Sequence, residues 1–321
     1  MGVFEKPFIL EGNPVSSTTS IGISMYPDDG NSIDELMKKA DIAMYDAKGA
    51  GRNVYQFYNA EINERTMKRQ KMESFLRQSV GRGELHLVFQ PLVSSDTLEV
   101  VGAEALLRWR HPEQGLLQPD QFLAVAEDTG VIVPIGEWVI RNACDHAREW
   151  NDKGYPVSVT VNLSNRQFHH PGLIGKTAKI LAETGLKPQQ LKFEVSENTI
   201  MDNIDFSYRN VNELAEMGVT LAIDNFGSGA SSLQWITKMP ISKIKIDRSF
   251  IRNMPADFGD MAVINAVVAM SHNLKMKVVA NGIETEKQLA IAQRSGCDEV
   301  QGFLISGPLL SEEFERFLAR A

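Results

Sequence analysis

Cysteine is scarce in this chain: 321 residues carry only Cys144 and Cys297. The two lie far apart with no CxxC spacing, which excludes a disulfide scaffold and a zinc ribbon and suits a reducing cytoplasm. No apolar run approaches the ~20 residues needed to span a bilayer. The stretch Met1–Leu10 carries Glu5 and Lys6 and does not read as a secretory signal. The expected location is therefore cytoplasmic, with any membrane tether placed elsewhere in a longer parent chain. Positive charge is also in deficit, with 33 Lys and Arg against 41 Asp and Glu, a net charge of -8. That excludes a grip on long nucleic acid by phosphate neutralisation. A small anionic ligand stays compatible, because local cations reverse the sign inside a cleft. Histidines number six. His169-His170-Pro171 reads as a loop, and His146 and His272 fall in helical stretches. Ser164 and Ser196 have no histidine base at a suggestive position, which argues against a serine nucleophile. The methionines are scattered and read as core filler.

What is present is an ordinary globular composition, 43% hydrophobic and 23% charged. The length allows one large barrel and a small extra piece. Residues 1–58 read as strand, turn, helix, strand. Ser20–Tyr26 alternates, Pro27–Gly30 turns, and Ser32 with Glu35 forms a capping box before a helix that Gly49 and Gly51 stop. Residues 59–83 form a charged helix, either a connector between domains or a first barrel helix with a solvated face.

From residue 84 short apolar strands alternate with helices. The strands are Leu85–Val93, Val100–Trp109, Val157–Leu163, Leu191–Val195, Thr220–Ile223, Ile244–Asp247, Val278–Ala280 and Val300–Ile305. Helices are expected at Asp120–Glu127, Ile135–Trp150, Ile174–Glu183, Phe206–Glu216, Ser231–Lys238, Gly259–His272 and Glu286–Arg294. This rhythm predicts an α/β fold, a TIM-type β/α barrel. Ser94-Ser95-Asp96 joins the first two strands tightly, so that pair should be antiparallel. An open doubly wound sheet is the alternative, but no Gly-rich first turn supports it.

Barrel chemistry sits at the C-terminal strand ends. Glu104, Asn162, Glu194 and Asp224 fall there on successive strands. Carboxylates inside apolar strands are costly unless paired or metal-bound. Oxygen donors without histidine or cysteine suit Mg²⁺, Mn²⁺ or Ca²⁺. Such a site suits metal-assisted attack on a phosphodiester. Lys245 could position the water, take its proton or steady charge. The alternative is a structural ion pair between Lys245 and Asp247. Arg108 could hold a phosphate oxygen.

These residues resemble a known family. Glu104-Ala105-Leu106 with Leu107-Arg108-Trp109 resembles the signature of EAL domains. Phe89-Gln90-Pro91, Asn162-Leu163-Ser164, Phe193–Glu197, Lys245-Ile246-Asp247 and Gln301-Gly302-Phe303 are similar to its further motifs in order, over about residues 70–321. The resemblance implies a β/α barrel that hydrolyses cyclic di-GMP to linear pGpG with Mg²⁺ or Mn²⁺, or a relative that only binds it. It implies Glu104, Asn162, Glu194 and Asp224 as first-metal ligands and Lys245 as the catalytic lysine. It implies Arg108 and Gln90 as ligand contacts, Glu284 and Gln301 as further mouth residues, and Glu197 as the anchor of the loop Asn225–Ser232. Dimerisation through the barrel is a further implication.

Two departures matter. Asn225 stands where the family has a second aspartate, and Asn281 where it has glutamate. Both positions belong to the family's second metal, so that site should bind weakly or not at all while the first stays whole. The rate should then fall by ~10²-fold or more. Gly307 replaces a residue that is often basic. The opening segment, through Thr19–Ser24, Ala40–Tyr45 and Gly51-Arg52-Asn53, resembles the C-terminal half of a GGDEF (diguanylate cyclase) domain. Its signature loop is missing, so it is not expected to make cyclic di-GMP. The expected organisation is 1–58 partial GGDEF, 59–75 connecting helix and 76–321 barrel.

Overall fold

The computed structural model describes residues 8–10, 13–15, 17–49, 53–227, 235–252 and 258–320. Gly51, Arg52 and Ser228–Gln234 therefore lie outside the described residues, and with them part of the GGDEF-like motif and of the loop after Asp224. The chain divides into two compact units, Met1–Gln78 with Ala124–Thr129, and Ser79–Leu123 with Gly130–Ala321.

In the first unit, β1 (Phe8–Leu10) pairs antiparallel with β2 (Asn13–Val15). Strand β3 (Ile21–Ile23) runs parallel to β4 (Tyr55–Phe57). Helix α1 (Ile33–Gly49) lies close on β3: a Cβ on Gly22 would sit 1.9 Å from the Ala40 carbonyl oxygen. Only glycine permits that approach. Helix α2 (Ala60–Ser79) is tied to α1 by Arg65 Nε donating to Asp46 Oδ1 at 2.8 Å.

The second unit is a closed barrel. Its strands are β5 (Leu85–Ser94), β6 (Val100–His111), β8 (Ser158–Asn162), β9 (Leu191–Ser196), β10 (Thr220–Phe226), β11 (Ile241–Ile246), β12 (Lys277–Asn281) and β13 (Glu299–Gln301), with β7 (Gly115–Leu117) a short flap on β6. Strand β5 is antiparallel to both β6 and β13, and the remaining neighbours are parallel. The mixed TIM-type barrel expected from the alternation is thus the observed fold. Around it run α4 (Ile132–Asp152), α5 (Asn165–Phe168), α6 (Leu173–Thr184), α7 (Glu197–Asp202), α8 (Ile204–Met217), α9 (Arg248–Arg252), α10 (Phe258–Asn273), α11 (Glu286–Arg294) and α12 (Ser311–Leu318), while α3 (Leu123–Thr129) falls almost wholly in the first unit. Among the described residues no helix is long and apolar enough to cross a membrane.

Alternation along each strand sorts side chains to the two faces. On β5, Phe89 points outward and is fully buried, its ring centroid 4.8 Å from Trp150 of α4; Trp150 stands 4.6 Å from Phe314 of α12. Its neighbour Gln90 points inward, which places polar groups inside the barrel.

Several sequence expectations need correction. The last strand stops at Gln301 rather than running over Val300–Ile305, because Gly302 is jammed under the next loop: a Cβ there would lie 2.1 Å from the Ile283 carbonyl oxygen. Gln301 therefore ends the strand instead of beginning it. The helix expected at Asp120–Glu127 is a 3₁₀ turn from Pro119 followed by α3. Of the helix expected at Ser231–Lys238, the described part is a single 3₁₀ turn, Ile236–Lys238. The methionines are not mainly core filler: Met239 and Met276 are buried, but Met25, Met37, Met67 and Met201 are exposed.

Candidate active site

Strand register brings the expected residues together. Glu104 faces Gln90 across β5 and β6, Asn162 is the partner of Glu194 across β8 and β9, and Asn281 is the partner of Gln301 across β12 and β13. Glu104 is the hub. Its Oε1 accepts from Asn162 Nδ2 at 2.6 Å, and its Oε2 accepts from Lys245 Nζ at 2.6 Å and Gln301 Nε2 at 2.8 Å. Lys245 also donates to Glu194 Oε2 at 3.0 Å. Gln301 reaches Gln90 Oε1 at 3.2 Å, and Gln90 donates in turn to the Ser306 carbonyl at 3.1 Å. Ser306 was not legible as a site residue, since a backbone acceptor leaves no mark in a sequence.

The electrostatics follow from burial of like charges around one cation. Lys245 is 2% exposed. Burial opposes its charge, but Glu104, Glu194 and Asp224 together hold its ammonium well above the usual lysine range. Burial likewise opposes the charge on Glu104, yet Lys245 and the donated hydrogen bonds keep that carboxyl below its ordinary value. Glu194 has the opposite outcome: burial, only partly offset by Lys245, pushes it up to about 7. Burial also raises Asp224, against the pull of Lys245. The charge on Lys245 is set by the three carboxylates around it. The alternative ion pair with Asp247 is not formed; the partners of Lys245 are Glu104 and Glu194.

Asp224 carries the clearest sign of an incomplete shell. Its Oδ2 accepts from Asn225 Nδ2 at 3.0 Å, while its Oδ1 is buried with no donor among the described residues. A buried carboxylate oxygen left bare is costly, and a cation satisfies it. The donor set of Glu104, Asn162, Glu194 and Asp224 fits an oxygen-seeking divalent ion. It is not a ready cage: among the described residues no three acidic, histidine or cysteine side chains are grouped to hold a metal. Lys245 occupies the carboxylates instead.

The remaining expected residues lie around this centre. Arg108 is half-buried on the same face of β6 as Glu104, its Nη1 bound to the Leu107 carbonyl at 2.8 Å. Glu197 is buried at the start of α7; burial raises its pKa, opposed by the Gly227 N–H, and neither carboxylate oxygen has a hydrogen-bond partner among the described residues. Asn225 is exposed with φ 54°, a left-handed conformation that asparagine tolerates. Glu284 does not join the Glu104 network. It is exposed and lines a cavity of about 420 Å³ with Asp247, Arg248, Ser249, Arg252 and Gly282. Ser164 and Ser196 are helix N-caps, their hydroxyls accepting from Gln167 N and Thr199 N.

With this geometry in place, the profile of the EAL domain family matches residues 73–308. The chain belongs to the EAL domain family. Residues 1–54 match the family described as diguanylate cyclase, GGDEF domain. The chain is 42% identical over 309 residues to the bifunctional diguanylate cyclase/cyclic di-GMP phosphodiesterase MucR of Pseudomonas aeruginosa, covering 96% of this chain and 45% of that protein. It is 39% identical over 319 residues to the cyclic di-GMP phosphodiesterase NbdA of the same species, covering 99% of this chain and 41% of NbdA. It thus spans less than half the length of these curated relatives. Among solved structures, the PaMucR phosphodiesterase in complex with c-di-GMP superposes with a TM-score of 0.74 at 43% identity, covering 76% of this chain and 99% of that one. The cAMP- and cyclic-di-GMP-bound form of the EAL enzyme Bd1971 gives a TM-score of 0.74 at 30% identity, over 78% of this chain and 69% of that one.

Proposed function

We propose that this EAL barrel binds cyclic di-GMP and opens it by hydrolysis to linear pGpG, at a rate lowered by the amides at positions 225 and 281. The observation that carries this reading is the Glu104 hub with Lys245, Asn162 and Glu194, beside the unpartnered Asp224 Oδ1. Glu104, Asn162, Glu194 and Asp224 would hold one Mg²⁺ or Mn²⁺. Bound there, the ion would supply Lewis-acid chemistry, activating water and offsetting phosphate charge.

The chain's own residues do the rest. Lys245 stays charged and steadies the negative charge that builds on the phosphoryl oxygens. Gln301 and Gln90 fix the rotamer of Glu104. Arg108 offers a guanidinium to the phosphodiester, and Glu197 is the residue proposed to position the loop after Asp224. Water adds across one phosphodiester bond, leaving a hydroxyl on one sugar and a terminal phosphate on the other.

A second reading, a cyclic di-GMP receptor without turnover, is favoured by Asn225 and Asn281, which remove two anionic ligands from the second cation position. Prolonged incubation with cyclic di-GMP and excess Mn²⁺, followed by chromatography for pGpG, separates the two. The enzyme reading expects slow metal-dependent product. It also expects the Asn225→Asp, Asn281→Glu double variant to be faster by ~10²-fold, the scale of one preorganised charge-stabilising group. A double variant no faster than the parent overturns the second-cation argument. No product from either protein, with binding retained, leaves the receptor reading.

A further inference from the structure

The barrel interior has a second polar layer, below the mouth and of opposite sign. Strand alternation fixes its members. Lys192 lies two residues before Glu194, Lys243 two before Lys245, Glu299 two before Gln301, and Thr220 four before Asp224, so all face inward. Lys277 is the register partner of Lys243, and Thr160 and Thr220 are the partners of Lys192 on either side.

Three ammonium groups lie here with one carboxylate, which pairs with two of them. Glu299, 2% exposed, takes Lys243 on Oε2 and Lys277 on Oε1, the latter at 3.3 Å. Both of its oxygens are thus engaged. Lys192 is half-buried beside Lys243, and burial together with that neighbouring charge lowers its pKa to about 8, partly offset by Glu299. The Oγ1 of its neighbour Thr220 is buried and without a partner among the described residues. Two adjacent, poorly solvated ammonium groups repel each other strongly, because screening by water is weak there. Clustered ammonium groups beside a buried hydroxyl without a partner are the donor pattern that an anion satisfies.

We propose that this lower layer binds a small inorganic oxyanion, held by the ammonium groups of Lys192 and Lys243 and the hydroxyl of Thr220. The site lies one side-chain layer from the Glu104 hub, toward the N-terminal strand ends. Lys192 is half-buried there and Lys277 is exposed. The site does not depend on cyclic di-GMP turnover. Its place in an EAL barrel is defined by residues that take no part in the mouth network. A loaded site would stabilise the folded chain without entering the reaction.

The test is the melting temperature of the whole chain, titrated with sodium sulfate at constant ionic strength. A bound ion stabilises in proportion to the logarithm of its occupancy and the effect saturates, whereas the general exclusion effect of sulfate grows without saturation. A saturating rise is expected in the parent protein. Lys192→Gln should weaken the apparent sulfate affinity about tenfold or more, the loss that accompanies one charge-assisted hydrogen bond. Thr220→Val keeps the side-chain shape and should weaken it several-fold, and it serves if Lys192→Gln does not fold. Arg108→Gln should leave the sulfate response intact, since Arg108 belongs to the mouth. A response that never saturates overturns the proposal, as does one retained in both lower-layer variants or one lost only in Arg108→Gln. Cyclic di-GMP binding by Thr220→Val, measured in parallel, should match the parent whether or not the barrel turns it over.

Discussion

Replacing Lys245 by methionine should move cation binding and turnover in opposite directions. The ammonium lies 2.6 Å from Glu104 Oε2 and 3.0 Å from Glu194 Oε2, on oxygens a divalent ion would use. At ~3 Å and an effective dielectric of ~20, each pair is worth about 5 kcal/mol before desolvation is subtracted. Removing one partner of a buried pair costs about 3–5 kcal/mol, because the other is left bare. Lys245→Met without cation should therefore lose about that much stability at alkaline pH, and less in acid, where Glu194 takes up a proton. The same vacancy favours a cation: three carboxylates remain with no internal counter-charge. Mn²⁺ affinity, read by calorimetric titration, should rise about tenfold or more, while formation of pGpG falls by ~10²-fold. A folded Lys245→Met that binds Mn²⁺ no more tightly than the parent would refute the view that lysine and metal compete for these oxygens.

Two further outcomes follow from the same site. The Glu194 carboxyl is raised to about 7 against an ordinary 4.5, so its proton is held more tightly in the folded chain than in the unfolded one. Its contribution to stability is full below about 4.5 and is lost as pH rises through about 7. A cation must displace that proton, so Mn²⁺ affinity should climb with pH up to about 7 and then level. An affinity flat across this range, in titrations repeated in buffers of different ionisation heat, would contradict the assignment. Asn225→Asp alone replaces a hydrogen bond to Asp224 by a like charge. Urea denaturation without metal should show a loss of about 1.5–3 kcal/mol, and saturating Mn²⁺ should abolish the difference. Equal stability in both conditions would mean that residue 225 does not act on Asp224.

The barrel was legible because its strands are apolar runs broken by helical stretches, and the antiparallel opening because Ser94–Asp96 is too short for a crossover. The mouth residues were legible for a physical reason: a carboxylate such as Glu104 or Glu194 in the middle of an apolar strand needs a partner. The partners themselves were only half legible. Lys245 satisfies Glu104 and Glu194 rather than Asp247, which lies just past the end of β11, because the long lysine side chain points into the barrel where those two carboxylates converge. Helices α7 and α9 escaped because a one-turn helix has no periodicity to read, and β13 was overextended because the block at Gly302 comes from a residue nearly twenty positions away. Glu284 stands outside the hub because β12 ends at Asn281 and the chain turns through Gly282, at φ 84°, before reaching it.

The asparagines acquire a second meaning in this geometry. With carboxylates at 225 and 281, the mouth would hold five acidic groups against one ammonium, a cluster that repels itself until cations arrive. Here three face Lys245, and Asn225 donates to the oxygen of Asp224 that a second aspartate would repel. The amide therefore helps to hold Asp224 in a cation-free chain while leaving Oδ1 open for one ion. A site built this way gains stability in the empty state at the expense of charge available to a second metal. A barrel whose task was fast hydrolysis would gain little from a well-ordered empty state. One that had to present Arg108, Gln90 and a single cation to cyclic di-GMP over long residence times would gain directly. On the proposed reading, the two amides exchange charge available to a second cation for order in the empty site.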